Sequence, residues 1–268
     1  MSDIRFVSLA NGDIEYRWYG DQSGNCGAAL TLVLLHEGLG CVDLWRDFPS
    51  ALAAGTGCRV LAYSRHGYGR SAPCALPRPV SYMHDDARDV LPELLQALEI
   101  GDHILVGHSD GGSIALINAG GAARPGLRGV VTMAAHIFIE DVSVRSIAAA
   151  SEAYATGRLR EALQRYHGAN VDCAFRGWAE SWLNPAFLDW NLTAFLPGIS
   201  VPCLVMQGVN DEYGTVAQVD GIIAGIGEGA QALMLADCGH APHQDQPQAT
   251  LDAIGEFVAT IVAERSPD

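Results

Sequence analysis

The segment Ile104-Leu105-Val106-Gly107-His108-Ser109-Asp110-Gly111-Gly112-Ser113-Ile114-Ala115-Leu116 runs apolar, then glycine-studded, then apolar again. A short buried strand followed at once by a helix forces the residue at the reversal into a strained backbone conformation. The positions two before and two after it must also be small, so that strand and helix can approach. Gly107 and Gly111 meet that demand around Ser109. Such a turn lifts a hydroxyl above the sheet edge and aims the next backbone N–H, from Asp110, at the oxygen of an attacked carbonyl, helped by the helix N-terminus. With 30 glycines in the chain, a bare Gly-x-Ser-x-Gly can arise by chance, and the flanking strand and helix give this one its weight. The plain alternative is a serine that caps a helix after a tight turn.

Around this segment the chain alternates strand and helix. Arg5–Leu9 and Asp13–Tyr19 read as paired strands joined at Ala10-Asn11-Gly12. Thr31–Leu35 and Arg59–Tyr63 are aliphatic runs separated by a helical pattern over Leu44–Ala54. A helix over Asp86–Leu98, a strand over Ile104–Val106 and a helix over Ser109–Asn118 repeat the unit, and Gly129–Ala134, Cys203–Gln207 and Ala232–Ala236 supply further strands before a helix over Thr250–Ala263. This order predicts an α/β fold with a mostly parallel sheet covered on both faces. The interval 139–200 has no strand-like run but carries helical patterns over Val142–Tyr154 and Leu159–Tyr166, then Phe175, Trp178, Trp182, Phe187 and Trp190. It reads as a helical cap inserted into a core formed by 1–138 and 201–268, with some of its aromatics, Trp178 and Trp182 among them, facing a pocket beneath.

Composition removes other classes. The 31 acidic against 16 basic residues give a formal charge of −15, which repels polyanions, so nucleic acid is not expected as a partner. No run of eighteen apolar residues appears, and the first residues lack the basic patch and apolar core of a signal peptide, so no membrane association is expected and the cytoplasm is the expected compartment. Seven cysteines (26, 41, 58, 74, 173, 203 and 238) lie scattered without Cys-x-x-Cys spacing; reduced thiols, not a disulfide framework or a zinc site, are expected.

A serine hydroxyl is a weak nucleophile alone, so it requires a histidine base and a carboxylate that orients it. Asp211 stands just past the strand Cys203–Gln207, with Glu212 as its rival, and His240 follows the last strand, with His243 as its rival. The order serine, acid, histidine suits this architecture, and Gly239 permits a tight bend beside His240. A zinc pair from His240 and His243 has no third ligand of suitable spacing, so no metal is expected. The loop Leu35-His36-Glu37-Gly38-Leu39-Gly40 should supply a second oxyanion donor, from Gly38 or Leu39.

These motifs, with Tyr63-Ser64-Arg65-His66-Gly67-Tyr68-Gly69-Arg70-Ser71 between them, resemble in order and over nearly the whole chain those of an α/β-hydrolase, closest in outline to the small-ester esterase and proline iminopeptidase branches. The resemblance implies an eight-stranded, mainly parallel sheet flanked by helices, a cap after the sixth strand, and a cofactor-free Ser-His-Asp mechanism on Ser109, His240 and Asp211. Two positions depart from it. Glu37 and Leu39 stand where relatives often carry glycine and proline, and Ser64 where an aspartate is frequent. Glu37 is expected to pair with Arg46 or Arg65; the alternative is attraction of an ammonium group on a substrate, with His36 beside it as a further candidate contact.

The expected function is a serine hydrolase acting on a small carboxylic ester, with an apolar or aromatic acyl compound as its small-molecule partner. Thioesterase, aminopeptidase and diketone C–C hydrolase chemistry reuse the same three residues and remain open. A dehalogenase or epoxide hydrolase would need a carboxylate where Ser109 stands. A non-catalytic ligand-binding protein on the same fold is the rival from another class, and the oligomeric state is open.

Overall fold

The computed structural model describes residues 3–20, 30–121 and 125–264. Its centre is one eight-stranded sheet: β1 (Arg5–Leu9), β2 (Gly12–Tyr19), β3 (Thr31–Leu35), β4 (Arg59–Tyr63), β5 (His103–His108), β6 (Leu127–Met133), β7 (Cys203–Gly208) and β8 (Ala230–Leu235), in the spatial order β1-β2-β4-β3-β5-β6-β7-β8. The β1–β2 hairpin and the β2–β4 pair are antiparallel and every other pair is parallel. The hairpin closes where Leu9 pairs with Gly12, whose positive φ of 114° the turn requires.

Helices cover both faces, which is why β3, β5 and β7 are buried at every position and largely apolar instead of alternating. Leu32 and Leu34 of β3 face one way, with Val60 and Ala62, onto Phe48 and Leu52 of α1 (Phe48–Thr56) and the C-terminal helix residues Ile254, Val258 and Ile261. Val33 and Leu35 face the other way, packing with Leu91, Leu94, Ile114 and Leu116. The first two belong to α3 (Leu91–Ala97) and the last two to α4 (Asp110–Gly120); α3 continues α2 (Tyr82–Asp85) through a π-helical turn over Asp86–Val90. The sequence pattern starts this helix at Asp86; the chain enters it four residues earlier, and the widened turn falls where Pro92 has no N–H to give the Arg88 carbonyl. The pattern read over Leu44–Ala54 divides into a 3-10 turn, Val42–Trp45, and α1.

Between β6 and β7 run α5 (Asp141–Ala155), α6 (Arg158–His167) and α7 (Val171–Trp182); α8 (Val216–Ile226) follows β7, and α9 (Pro242–Asp245) and α10 (Pro247–Glu264) end the chain. Phe175, Trp178 and Trp182 belong to α7, a third helix beyond the two helical patterns read over Val142–Tyr154 and Leu159–Tyr166. Phe175 stacks on Tyr154 at 3.8 Å between ring centroids, and Phe187 and Trp190 pack with Trp182. No described helix is long and apolar enough to cross a membrane.

One reading needs correction here. Cys74 and Cys173, 99 residues apart, are joined as a disulfide between the loop after β4 and α7, so the expectation of reduced thiols throughout fails. The fold carries α7 onto that loop, a juxtaposition no spacing rule reveals. Cys41, Cys203 and Cys238 are buried thiols, and Cys26 lies outside the described residues. The carboxylate that relatives often carry at position 64 comes instead from β2: Ser64 donates its hydroxyl proton to Glu15 Oε2 at 2.9 Å and accepts the Val42 N–H at 3.0 Å. Arg70 completes the group, its guanidinium 2.7 Å from Glu15 Oε1.

Candidate active site

Ser109 is the residue between β5 and α4, and its backbone lies at φ 51° and ψ −119°, outside the regions that L-residues favour. The surroundings hold it there. Its N–H donates to the Met133 carbonyl at 2.9 Å, its carbonyl accepts the Ser113 N–H at 3.1 Å, and a Cβ at Gly107 or Gly111 would overlap backbone atoms of Gly111 or Leu35. The requirement for small residues read from the sequence is therefore a steric fact of the strand–helix contact.

The loops after β7 and β8 bring two more groups to this serine. His240 Nε2 lies 2.9 Å from Ser109 Oγ, and its Nδ1 lies 2.8 Å from Asp211 Oδ1. That same oxygen accepts the N–H groups of Tyr213 at 2.8 Å and Gly214 at 3.2 Å, which fixes the carboxylate. Burial alone would raise the Asp211 carboxyl, but the hydrogen bond and charge of His240 and the Tyr213 N–H outweigh it and hold it below the ordinary value. Gly208 lets the two loops meet, since a Cβ there would overlap the carbonyls of Cys238 and Gly239.

The rivals for these positions have other contacts. Glu212 accepts the His240 backbone N–H at 3.2 Å, and Asp245 accepts that of Gly239 at 2.9 Å, so both carboxylates hold the histidine loop while lining the cavity at Ser109. His243 points away from Ser109, buried against Trp45 at 5.0 Å and Phe48 at 5.3 Å between ring centroids, and burial drives its imidazole down to about 3.

Ser109 opens into a cavity of about 290 Å³ whose walls include Gly38, Leu39, Ile147, Trp178, Trp182 and Tyr213. The sequence-derived candidates Glu37, Gly38, Leu39, Trp178 and Trp182 thus meet at one place with Ser109 and His240. In the loop after β3 the Glu37 carbonyl accepts the Gly40 N–H at 3.1 Å, His36 Nδ1–H at 2.7 Å and an Arg65 N–H at 2.9 Å, and among the described residues the N–H groups of Gly38 and Leu39 have no acceptor.

His36 does not reach the cavity. It is wholly buried, its Nε2 accepting the Arg65 N–H at 3.0 Å, and burial with the Arg65 charge holds it well below the ordinary histidine value; it braces the loop and is not a substrate contact. The expected pairing of the Glu37 carboxylate with Arg46 or Arg65 also fails. The guanidinium of Arg65 faces Asp86 and Asp110, at 3.5 and 3.7 Å, and the Glu37 carboxylate lies 3.6 Å from His108 Nδ1, an ion-pair contact longer than a hydrogen bond. Burial lowers the His108 imidazole, but Glu37 more than reverses this and raises it; burial likewise pushes the Glu37 carboxyl up, and His108 brings it well below the ordinary range. His108 Nε2–H donates to the His240 carbonyl at 2.7 Å, so the pair also ties the loop after β3 to the histidine loop.

The sequence reading passed over His136, just beyond β6. It lines the cavity 5.7 Å from His240 and 5.1 Å from Trp182 between ring centroids, and burial drives it down to about 3.

With this geometry in view, comparison with known proteins is direct: the alpha/beta hydrolase family matches residues 32–253. The chain belongs to that family. This hydrolase is 28% identical over 165 residues to the human serine hydrolase BPHL, a match covering 57% of the chain and only 53% of BPHL, about half its length. A hydrolase from Pseudomonas aeruginosa PA01 superposes with a TM-score of 0.75 at 25% identity, over 96% of this chain and 98% of that one. The esterase RhEst1 from Rhodococcus sp. ECU1013 shares the fold, with a TM-score of 0.72 at 22% identity over 97% and 100% of the two chains.

Proposed function

We propose that this hydrolase cleaves small carboxylic esters through an acyl-enzyme on Ser109. The observation that carries the reading is one imidazole, His240, in hydrogen-bond reach of both Ser109 Oγ and Asp211 Oδ1 at the wall of a cavity. His240 takes the hydroxyl proton as Ser109 Oγ bonds to the ester carbonyl carbon. The oxyanion rests on the Asp110 N–H and on an N–H of Gly38 or Leu39. Collapse expels the alcohol, which takes the proton from His240; water, deprotonated by the same histidine, attacks the acyl carbon, and the acid is released as Ser109 Oγ leaves with the proton from His240. Asp211 keeps the Nδ1–H tautomer and stabilises the imidazolium.

The walls around Ile147, Trp178, Trp182 and Tyr213 favour an apolar or aromatic acyl group, and residues 139–200 act as the cap over it. The likeness to an esterase and to a serine hydrolase supports ester chemistry. Turnover of p-nitrophenyl esters beside acyl-thioesters and aminoacyl arylamides tests it: esters are expected to be the best substrates, with activity lost in Ser109→Ala. Faster turnover of thioesters or arylamides would reassign the acyl bond.

A further inference from the structure

Trp178 and Trp182 lie one turn apart on α7, so both indoles leave the same helix face toward the cavity. Each touches a different side of the proposed oxyanion hole. The Trp178 indole lies on Gly38 so closely that a Cβ there would overlap it. Trp182 shares its indole N–H between Asp110 Oδ1 at 3.2 Å and the Tyr82 hydroxyl at 3.0 Å. Tyr82 in turn donates to Asp110 Oδ2 at 2.6 Å, and Arg65 stands 3.7 Å from that oxygen. The side chain of Asp110 is thus buried and tied on both oxygens, and one of its ties comes from the segment between β6 and β7.

The opposite side is held from the same segment. His167, the last residue of α6, accepts the Gly69 N–H on Nδ1 at 3.0 Å and donates Nε2–H to the Leu39 carbonyl at 2.9 Å. That bond fixes the peptide plane next to the Gly38 and Leu39 N–H groups. An oxyanion donor works only where it is held in place before charge develops, and small displacements are costly.

We propose that Trp182 and His167 are positioning residues that set the two sides of the oxyanion hole from the helical segment, Trp182 through Asp110 and His167 through Leu39. The inference rests on the acyl-enzyme reading given above. It makes the segment between β6 and β7 part of the rate-determining geometry as well as the wall of the pocket. Loss of either bond lowers kcat and leaves KM nearly unchanged, because the oxyanion exists only beyond the ground state.

The test uses Trp182→Phe, which keeps a ring but removes the N–H, and His167→Phe, which keeps the ring beside Tyr68 and removes both bonds. Each variant, checked for folding by thermal unfolding, is assayed on a p-nitrophenyl ester and titrated with phenylboronate, which forms a tetrahedral adduct with a serine oxygen. The expected result in each is a fall in kcat of about tenfold or more with a matching loss of boronate affinity, and in His167→Phe, whose side chain does not line the cavity, KM within about twofold. An unchanged kcat and boronate affinity in either folded variant, or a change confined to KM, overturns the inference. The variants act on opposite sides of the hole, so each decides without the other. A wild-type protein that neither turns over esters nor binds boronate would instead overturn the assignment of Ser109.

Discussion

His240 Nε2 stands 2.9 Å from Ser109 Oγ although 131 residues of chain separate them, and the same ring reaches Asp211 at 2.8 Å. Three loops at the C-terminal ends of β5, β7 and β8 converge to make this contact. If the contact is the base–nucleophile pair, the carboxylate behind it has a separable role. Asp211→Asn keeps the shape but weakens control of the tautomer, and kcat on esters is expected to fall by roughly three to four orders of magnitude with the fold retained. Steady-state kinetics beside a thermal melt checks this; a loss below tenfold would remove Asp211 from the mechanism.

Gly111 faces the backbone of β3 with no room for a methyl group. Because the obstacle is main chain in a central strand, Gly111→Ala is expected to destabilise the protein by about 3 kcal/mol. Urea unfolding measures it, and a change under about 1 kcal/mol would show that β3 and α4 can separate beside Ser109.

Much of this site is legible in the sequence because each part obeys a local rule. A strand, a cramped serine and a helix are contiguous, and Asp211 and His240 each follow a strand at a loop. What escapes is set by contacts through space. Nothing around Glu37 in the chain announces His108 as its neighbour, nor does the spacing of Ser64 reveal that Glu15 on another strand supplies its carboxylate. Cys74 and Cys173 meet only because α7 returns to the loop after β4. The helix α7, by contrast, is legible: Asp172, Arg176 and Glu180 recur one turn apart with buried residues between them, a 3.6-residue stripe that reading the aromatics one by one passes over.

His136 and His243 are buried and both driven down to about 3, whereas histidine in an unfolded chain takes its proton near 6.5. Between these values the unfolded state binds more protons, so stability falls as pH falls. His243→Phe, whose ring can still pack on Trp45 and Phe48, should lose less stability on acidification from pH 7 to about pH 4.5 than the wild type. Parallel urea titrations at the two pH values decide it, and equal losses would show that His243 does not carry this dependence.

The Glu37–His108 pair has the opposite signature. His108 is raised above 6.5, so its contribution is complete below that value and is lost as pH rises through the folded-state value; Glu37 is lowered below 4.5, so its contribution is complete above 4.5 and is lost only as pH falls through its folded-state value. Glu37→Gln should therefore lower Tm most near about pH 5.5 and least at alkaline pH. A difference in Tm that grows toward alkaline pH would contradict the pairing.

The most direct measurement is intact-protein mass after exposure to a fluorophosphonate, run on wild type and on folded Ser109→Ala. The expected result is a single covalent adduct on the wild type that is absent from the variant, with ester turnover abolished in step with labelling. An adduct of equal extent on Ser109→Ala, or none on a wild-type protein that hydrolyses esters, would contradict Ser109 as the nucleophile.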